Sequence, residues 1–227
     1  LPLSDDAPVK HIRYPYVSAV LLAFCILVFI YQLTLPHRAE EILIFTFGTI
    51  PAALFGLVEL QPEIVKLPAY GTLISSMFLH SSLMHIIGNL LFLWVLGDNV
   101  EDNMGHGRYL IFYLICGIVA GLAHAISDPR SAVPMIGASG AISGVIGAYL
   151  MLHPRAPIKV LVWFIIVWLP AWLVLGFWVG YQFLSIAMTS GGGIAWWAHI
   201  GGFLAGAGLI IFMRREGVPI LDKNYVK

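Results

Sequence analysis

Residues 160–213 read VLVWFIIVWLPAWLVLGFWVGYQFLSIAMTSGGGIAWWAHIGGFLAGAGLIIFM, a run of 54 residues without one Asp, Glu, Lys or Arg. A membrane-crossing helix needs about 20 mostly apolar residues for a hydrocarbon core of about 30 Å, so this run is too long for one crossing. The cluster Thr189-Ser190-Gly191-Gly192-Gly193 has the composition of a turn and divides it into two. Working outward, four further stretches lack charge: Tyr14–His37, Leu67–Gly97, Tyr109–Ser127 and Ser131–Pro154.

The whole composition agrees. The 227 residues are 59% hydrophobic and 11% charged, with a mean hydropathy of +0.89 and no net charge. A soluble domain carries roughly 25% charged residues, and a disordered chain is poorer still in apolar ones. Both classes are excluded. A nucleic-acid partner is not expected, because no basic stripe exists to neutralise phosphates. Cys25 and Cys116 lie in apolar runs and read as small hydrophobes, not as a disulfide pair or metal ligands.

The predicted fold is all-α: a single domain over 1–227 with six transmembrane helices near 14–34, 80–98, 108–127, 137–153, 158–186 and 194–213, and a long first loop at 35–79. Ile42–Val58 is short and interrupted by Gly48 and Pro51, which suits an interfacial or re-entrant segment better than a crossing. With six spans and an inside N-terminus, nine Lys and Arg fall inside and three (Arg38, Lys66, Arg130) outside. Both termini are therefore expected in the cytoplasm.

Polar residues inside spans are few, and such groups are functional by default. Helix rise of 1.5 Å per residue places Ser139, His199 and His85 each about 20–22 Å above the inner boundary of its own span, with Asn89 one turn below His85. One layer of the bilayer thus receives a Ser, a His and a His/Asn pair from three helices. Small residues indicate which helices touch. Gly140 and Gly144 (with Gly147 close to the same stripe) face one way on one helix, and Gly201/Ala205 and Gly202/Gly206 repeat the spacing on another. Close approach of those faces would bring Ser139 and His199 within hydrogen-bond reach.

A serine hydroxyl becomes a competent nucleophile when a base takes its proton, and His199 is the base available at that depth. The third to sixth spans hold no Asp or Glu, which points to a dyad, not a triad. Donors for an oxyanion are available from the Ser139 backbone N–H, Asn89 and His85. Trp196 and Trp197 read as interface markers and His124 as structural.

Gly137-Ala138-Ser139-Gly140, Ala198-His199 followed by Gly201-Gly202, and His80-x4-His85-x3-Asn89 resemble the motifs of the rhomboid intramembrane serine proteases, and the likeness runs from the first span to the last. The resemblance implies Ser139 as nucleophile, His199 as general base, and His85 and Asn89 at the oxyanion. His80 would steady the first loop, with Gly137, Gly140 and Gly202 in support. It further implies cleavage of transmembrane protein substrates in the lipid bilayer with no metal or cofactor, and a fifth span that gates substrate entry. Three positions depart from the pattern: Asn103 where a basic residue often follows Glu101, a first loop without the Trp-Arg pair, and Ser143 where an aromatic often packs on the histidine. The expected function is an intramembrane serine endopeptidase in a prokaryotic plasma membrane, its site opening outward. The alternative is a catalytically inactive membrane-binding protein on the same scaffold, and a weaker one is a haem or metal protein using His80, His85, His124 and His199.

Overall fold

Prolines and glycines divide this apolar chain into helices. In the computed structural model, which describes residues 1–188 and 195–222, α1 (Tyr16–Thr34) ends where Leu35 turns extended ahead of Pro36, the conformation a following proline imposes. Next come α2 (His37–Phe47) and the single turns α3 (Pro51–Leu54) and α4 (Thr72–Ser75). The helices α5 (Leu83–Met104) and α6 (His106–Ser127) meet at Gly105. The remaining helices are α7 (Ser139–Leu152), α8 (Ala171–Met188) and α9 (Trp196–Met213). The division expected at 189–193, and the charges of Lys223 and Lys227, lie outside the described residues.

Among the described residues, four helices are long and apolar enough to cross a membrane: α1, α5, α6 and α9. The protein is an integral membrane protein. Six crossings were expected; besides these four, two shorter apolar helical stretches are present, Ser139–Leu152 and Ala171–Ser185. Nor is the fold all-α. Residues 157–170, assigned to the fifth span, form the hairpin β2 (Pro157–Val162) and β3 (Ile165–Pro170), and α8 starts only at Ala171. The N-terminal strand β1 (Pro2–Asp5) pairs with β2, giving an antiparallel sheet in the order β1-β2-β3. Pro154, Pro157 and Pro170 interrupt helical hydrogen bonding, and the β-branched residues between them favour extended backbone. Periodicity cannot separate a buried helix from a strand in so uniformly apolar a stretch.

The first loop is likewise not plain loop, since 35–79 contains α2, α3, α4 and two turns of 3-10 helix. Leu54 and Leu73 pack with Ala125 of α6. Thr49 bridges to Met135, and its hydroxyl donates to the Thr72 carbonyl at 2.9 Å and lies within hydrogen-bond distance of Ser76 Oγ at 3.1 Å. This segment buttresses the chain entering α7.

One end of the molecule gathers both ends of the described chain. Glu101, near the C-terminus of α5, accepts from the backbone N–H groups of Val17 and Ser18 at 2.9 and 2.8 Å and from the Ser18 hydroxyl at 2.8 Å. It thereby caps α1, whose own N-cap residue Pro15 offers no side-chain acceptor. Asp102 accepts from the N–H groups of Lys10, His11 and Ile12, and Arg215 Nε donates to the Asp102 carbonyl. Asn103 donates to the Asn99 carbonyl and to Nε2 of His153, the only role an amide N–H allows that nitrogen. A backbone-capping layer thus occupies the place where the sequence motif lacks its basic partner.

In the same layer the Tyr149 hydroxyl donates to the Asp5 carboxyl at 2.5 Å, and burial raises the Asp5 pKa to about 6. The folded state therefore favours the protonated acid. Its contribution is present below about pH 4 and is lost as pH rises through about 6, by up to ~3 kcal/mol. Asp5→Asn is expected to remove this slope. Melting in detergent at pH 4 and pH 7 measures it, and an unchanged parent-minus-variant difference across that window would refute the assignment.

Candidate functional site

Ser139 is the first residue of α7, and three close approaches position it. Gly137 has φ 122°, a left-handed value suited to glycine, and its N–H donates to the Ser76 carbonyl at 2.8 Å. A Cβ there would also sit 2.7 Å from His85 Nε2. On the far side, α7 and α9 pack backbone to backbone: a Cβ on Gly202 would overlap the Gly140 carbonyl, and one on Gly206 the Gly144 carbonyl. The small-residue stripes thus face each other and carry Ser139 to His199.

The outcome is a hydrogen bond of 2.9 Å between Ser139 Oγ and His199 Nε2. On the other side of the ring, His199 Nδ1 lies 2.8 Å from Gln182 Oε1 on α8. The orientation of the Gln182 amide is not arbitrary, because its amide donor, Nε2, reaches the Trp178 carbonyl at 3.2 Å. Only an N–H can satisfy that carbonyl, so Oε1 must face the imidazole. His199 therefore carries its proton on Nδ1 and presents an unprotonated Nε2 to the serine hydroxyl. The rings of Trp178 and Trp196 stand 5.8 and 6.0 Å from the imidazole.

His85 has the opposite tautomer. Ser82 caps α5 by accepting from the His85 N–H at 3.2 Å, which fixes the ring at the helix start. The Ser81 backbone N–H points at His85 Nδ1 at 3.5 Å, with the Ser81 hydroxyl at 3.1 Å. A nitrogen facing an N–H is an acceptor, so the neutral ring bears its proton on Nε2, the atom beside Gly137. Asn89 is buried one turn further on, and its Nδ2 has no hydrogen-bond partner among the described residues. A buried amide donor without an acceptor is rare, and here it lies close to Gly137.

The first-turn N–H groups of α7 add to this. Hydrogen bonding within that helix begins with Ile142 N–H to the Ala138 carbonyl, so the N–H of Ser139 has no helical acceptor. Beside Ser139, Gly137, Met135 and Ala198 lies a cavity of about 20 Å³, room for about one water. A larger cavity of about 150 Å³ lies in the first loop, between Phe45 and Thr72, and no titratable side chain lines it.

The structure thus brings Ser139, His199, His85 and Asn89 around one point, with Gly137, Gly140 and Gly202 permitting the approach. His80 acts differently from a ring contact with the loop. Its backbone is clamped by Gln32 of α1, which donates to the His80 carbonyl and accepts from its N–H, both at 3.0 Å. Ser143 donates to the Ser139 carbonyl at 2.6 Å and leaves the histidine to other partners. Those partners, Gln182, Trp178 and Trp196, were missed. Gln182 was findable by the rule that polar side chains inside spans have a purpose. Trp196, read as an interface marker, also packs edge-on against His199.

Fold and site together define a polytopic helical membrane protein with a hydroxyl–imidazole pair set between two tightly packed helices. The Rhomboid domain family matches residues 68–216, and the chain belongs to that family. It is similar to Rhomboid protease GlpG of Klebsiella pneumoniae, 28% identical over 203 residues, which cover 88% of this chain and 63% of that protein. It is also similar to Rhomboid protease GluP of Bacillus subtilis, 41% identical over 78 residues (34% and 15%), and to RHOMBOID-like protein 12, mitochondrial, of Arabidopsis thaliana, 34% identical over 147 residues (58% and 43%). The chain spans between 15% and 63% of the length of these relatives.

Proposed function

We propose that this protein is an intramembrane serine endopeptidase that cleaves transmembrane segments of membrane proteins through Ser139 and His199. The observation that carries this reading is the chain Trp178 carbonyl–Gln182–His199–Ser139, which leaves a basic nitrogen 2.9 Å from the hydroxyl. Ser139 Oγ attacks the scissile carbonyl carbon while its proton passes to His199 Nε2. The carbonyl oxygen becomes an oxyanion beside the Ser139 N–H, His85 Nε2–H and Asn89 Nδ2, the orphaned amide gaining its acceptor in that state. The C–N bond then breaks, and the proton on Nε2 goes to the leaving amine. Water, losing its proton to the same nitrogen, hydrolyses the acyl-Ser139 ester and restores the enzyme. The one-water cavity beside Ser139 suits this second step.

Gln182 acts as a positioning residue that selects the His199 tautomer, the task a carboxylate performs in a triad. Depth follows from α7, whose 14 residues extend only about 21 Å, less than a 30 Å core. Its C-terminus lies in the layer that gathers both ends of the described chain, so Ser139 lies within the bilayer, below the opposite surface. With both termini in the cytoplasm of a prokaryotic cell, the site would open outward.

The test is reaction of the purified protein with a fluorophosphonate probe together with cleavage of a reporter transmembrane helix in vesicles. Phosphonylation at Ser139 and two product fragments are expected. A folded protein that neither labels nor cuts would support the inactive, membrane-binding alternative.

A further inference from the structure

The hairpin β2–β3 is the part of the molecule that the proposed chemistry leaves unused. Its tip, Val162-Trp163-Phe164-Ile165, is apolar throughout, and Trp163 and Phe164 are 86% and 94% exposed. Ile165, Ile166 and Trp168 of β3 are each more than half exposed. Between Pro157 and Pro170 the only charged side chain is Lys159, whose Nζ lies 5.8 Å from the centre of the Trp168 ring. A contiguous apolar surface of this kind is not left in water.

We infer that the hairpin lies in the membrane interface and anchors one end of the bundle there, with Trp163 and Phe164 seated at the boundary between headgroups and acyl chains. Three observations select lipid as the occupant. First, the hairpin is tethered at both ends to apolar helices, following the end of α7 at Leu152 and running directly into α8 at Ala171. It is therefore held at the level of one membrane boundary. Second, the exposed apolar surface continues into α8 through Trp172, Leu173 and Phe177, residues of a helix read as membrane-embedded. Third, β3 pairs with β2 alone among the described strands, so its outer edge carries backbone N–H and C=O groups without a strand partner.

That last point sets the depth. Unpaired backbone groups are costly in hydrocarbon, which excludes the bilayer core, whereas the headgroup region supplies water and polar acceptors. Tryptophan favours the same region, with its ring in the acyl boundary and its N–H toward water. Lys159 has a stem long enough to keep its ammonium among phosphates while the strand lies flat. The hairpin thereby fixes the height of the N-terminus of α8, the helix that carries Gln182.

The experiment places an environment-sensitive nitrobenzoxadiazole label on Trp163→Cys, and separately on Phe164→Cys, in protein reconstituted into phosphatidylcholine/phosphatidylglycerol vesicles. Cys25 and Cys116 are fully buried and stay unlabelled. Lipids carrying a doxyl group near the headgroup are expected to quench either label several-fold more than lipids carrying it deep in the chain, while aqueous iodide quenches weakly. Melting curves identify folded protein, and the second site serves if the first variant does not refold. Strong iodide quenching without doxyl quenching would overturn the inference. So would emission that follows the protein-to-lipid ratio instead of the doxyl position, since that would mean a second copy covers the tip.

Discussion

Ser139→Ala is expected to lower reporter cleavage by about four to six orders of magnitude, below detection in most assays, with His199→Ala falling nearly as far. The two groups act as one unit: without the base the hydroxyl is not activated, and without the hydroxyl the base has nothing to activate. Single removal of either therefore costs almost as much as removal of both. Residual turnover would come from the oxyanion donors alone. Gln182→Ala should cost less, one to two orders of magnitude, because it removes one hydrogen bond that selects a tautomer and leaves both reacting groups in place. The loss should appear in kcat with KM little changed, since Gln182 faces His199 and not the substrate. All three variants are expected to melt close to the parent, because none opens a cavity in the main core. Cleavage by Ser139→Ala at the parental rate would end the proposal.

Gly206→Ala is expected to be the most damaging small substitution outside the reacting groups. Its new methyl would fall on the Gly144 carbonyl and Cα, which are backbone atoms and cannot rotate aside. Overpacking of this kind costs about 1–3 kcal/mol where side chains can yield, and here the helices themselves must separate. That separation has a chemical consequence. Gly206 lies seven residues beyond His199 on α9, about 10 Å along the axis, and α7 carries Ser139. Misplacement of reacting groups by about 1 Å lowers rates by about 10²-fold. Folded Gly206→Ala should therefore show a lower Tm and at least that loss in cleavage. Gly208→Ala is the control, since no atom of the described residues lies within 4 Å of a Cβ there and alanine favours helix by up to ~1 kcal/mol. Equal Tm and activity for the two variants would mean that the α7–α9 contact does not set the site.

The two stripes also show why so much of this site was legible in the chain. Ser139 and His199 stand out because polar groups are scarce in apolar helices, and Gly140/Gly144 and Gly202/Gly206 sit at the spacing that lets helix backbones touch. Helix rise put the two residues at one depth, and the structure puts them 2.9 Å apart. Gln182 stands in the same kind of span but is less conspicuous, because an uncharged amide does not mark a partner for an imidazole as a carboxylate does. The hairpin at 157–170 was not legible, since a strand lying in an interface is as apolar as a crossing helix.

By itself, then, the order of residues determined a multi-helix membrane protein, the spacing of its polar groups along their helices and the faces able to meet, because each of these depends on local composition and a fixed rise per residue. Tertiary structure decided the rest: which tautomer His199 holds, that Glu101 and Asp102 cap distant backbone in place of a basic partner, and that β1 pairs with β2. Those outcomes depend on contacts between segments up to about 160 residues apart, such as Pro2 with Val160. No local pattern records such a contact, because its energy exists only once the chain has closed on itself.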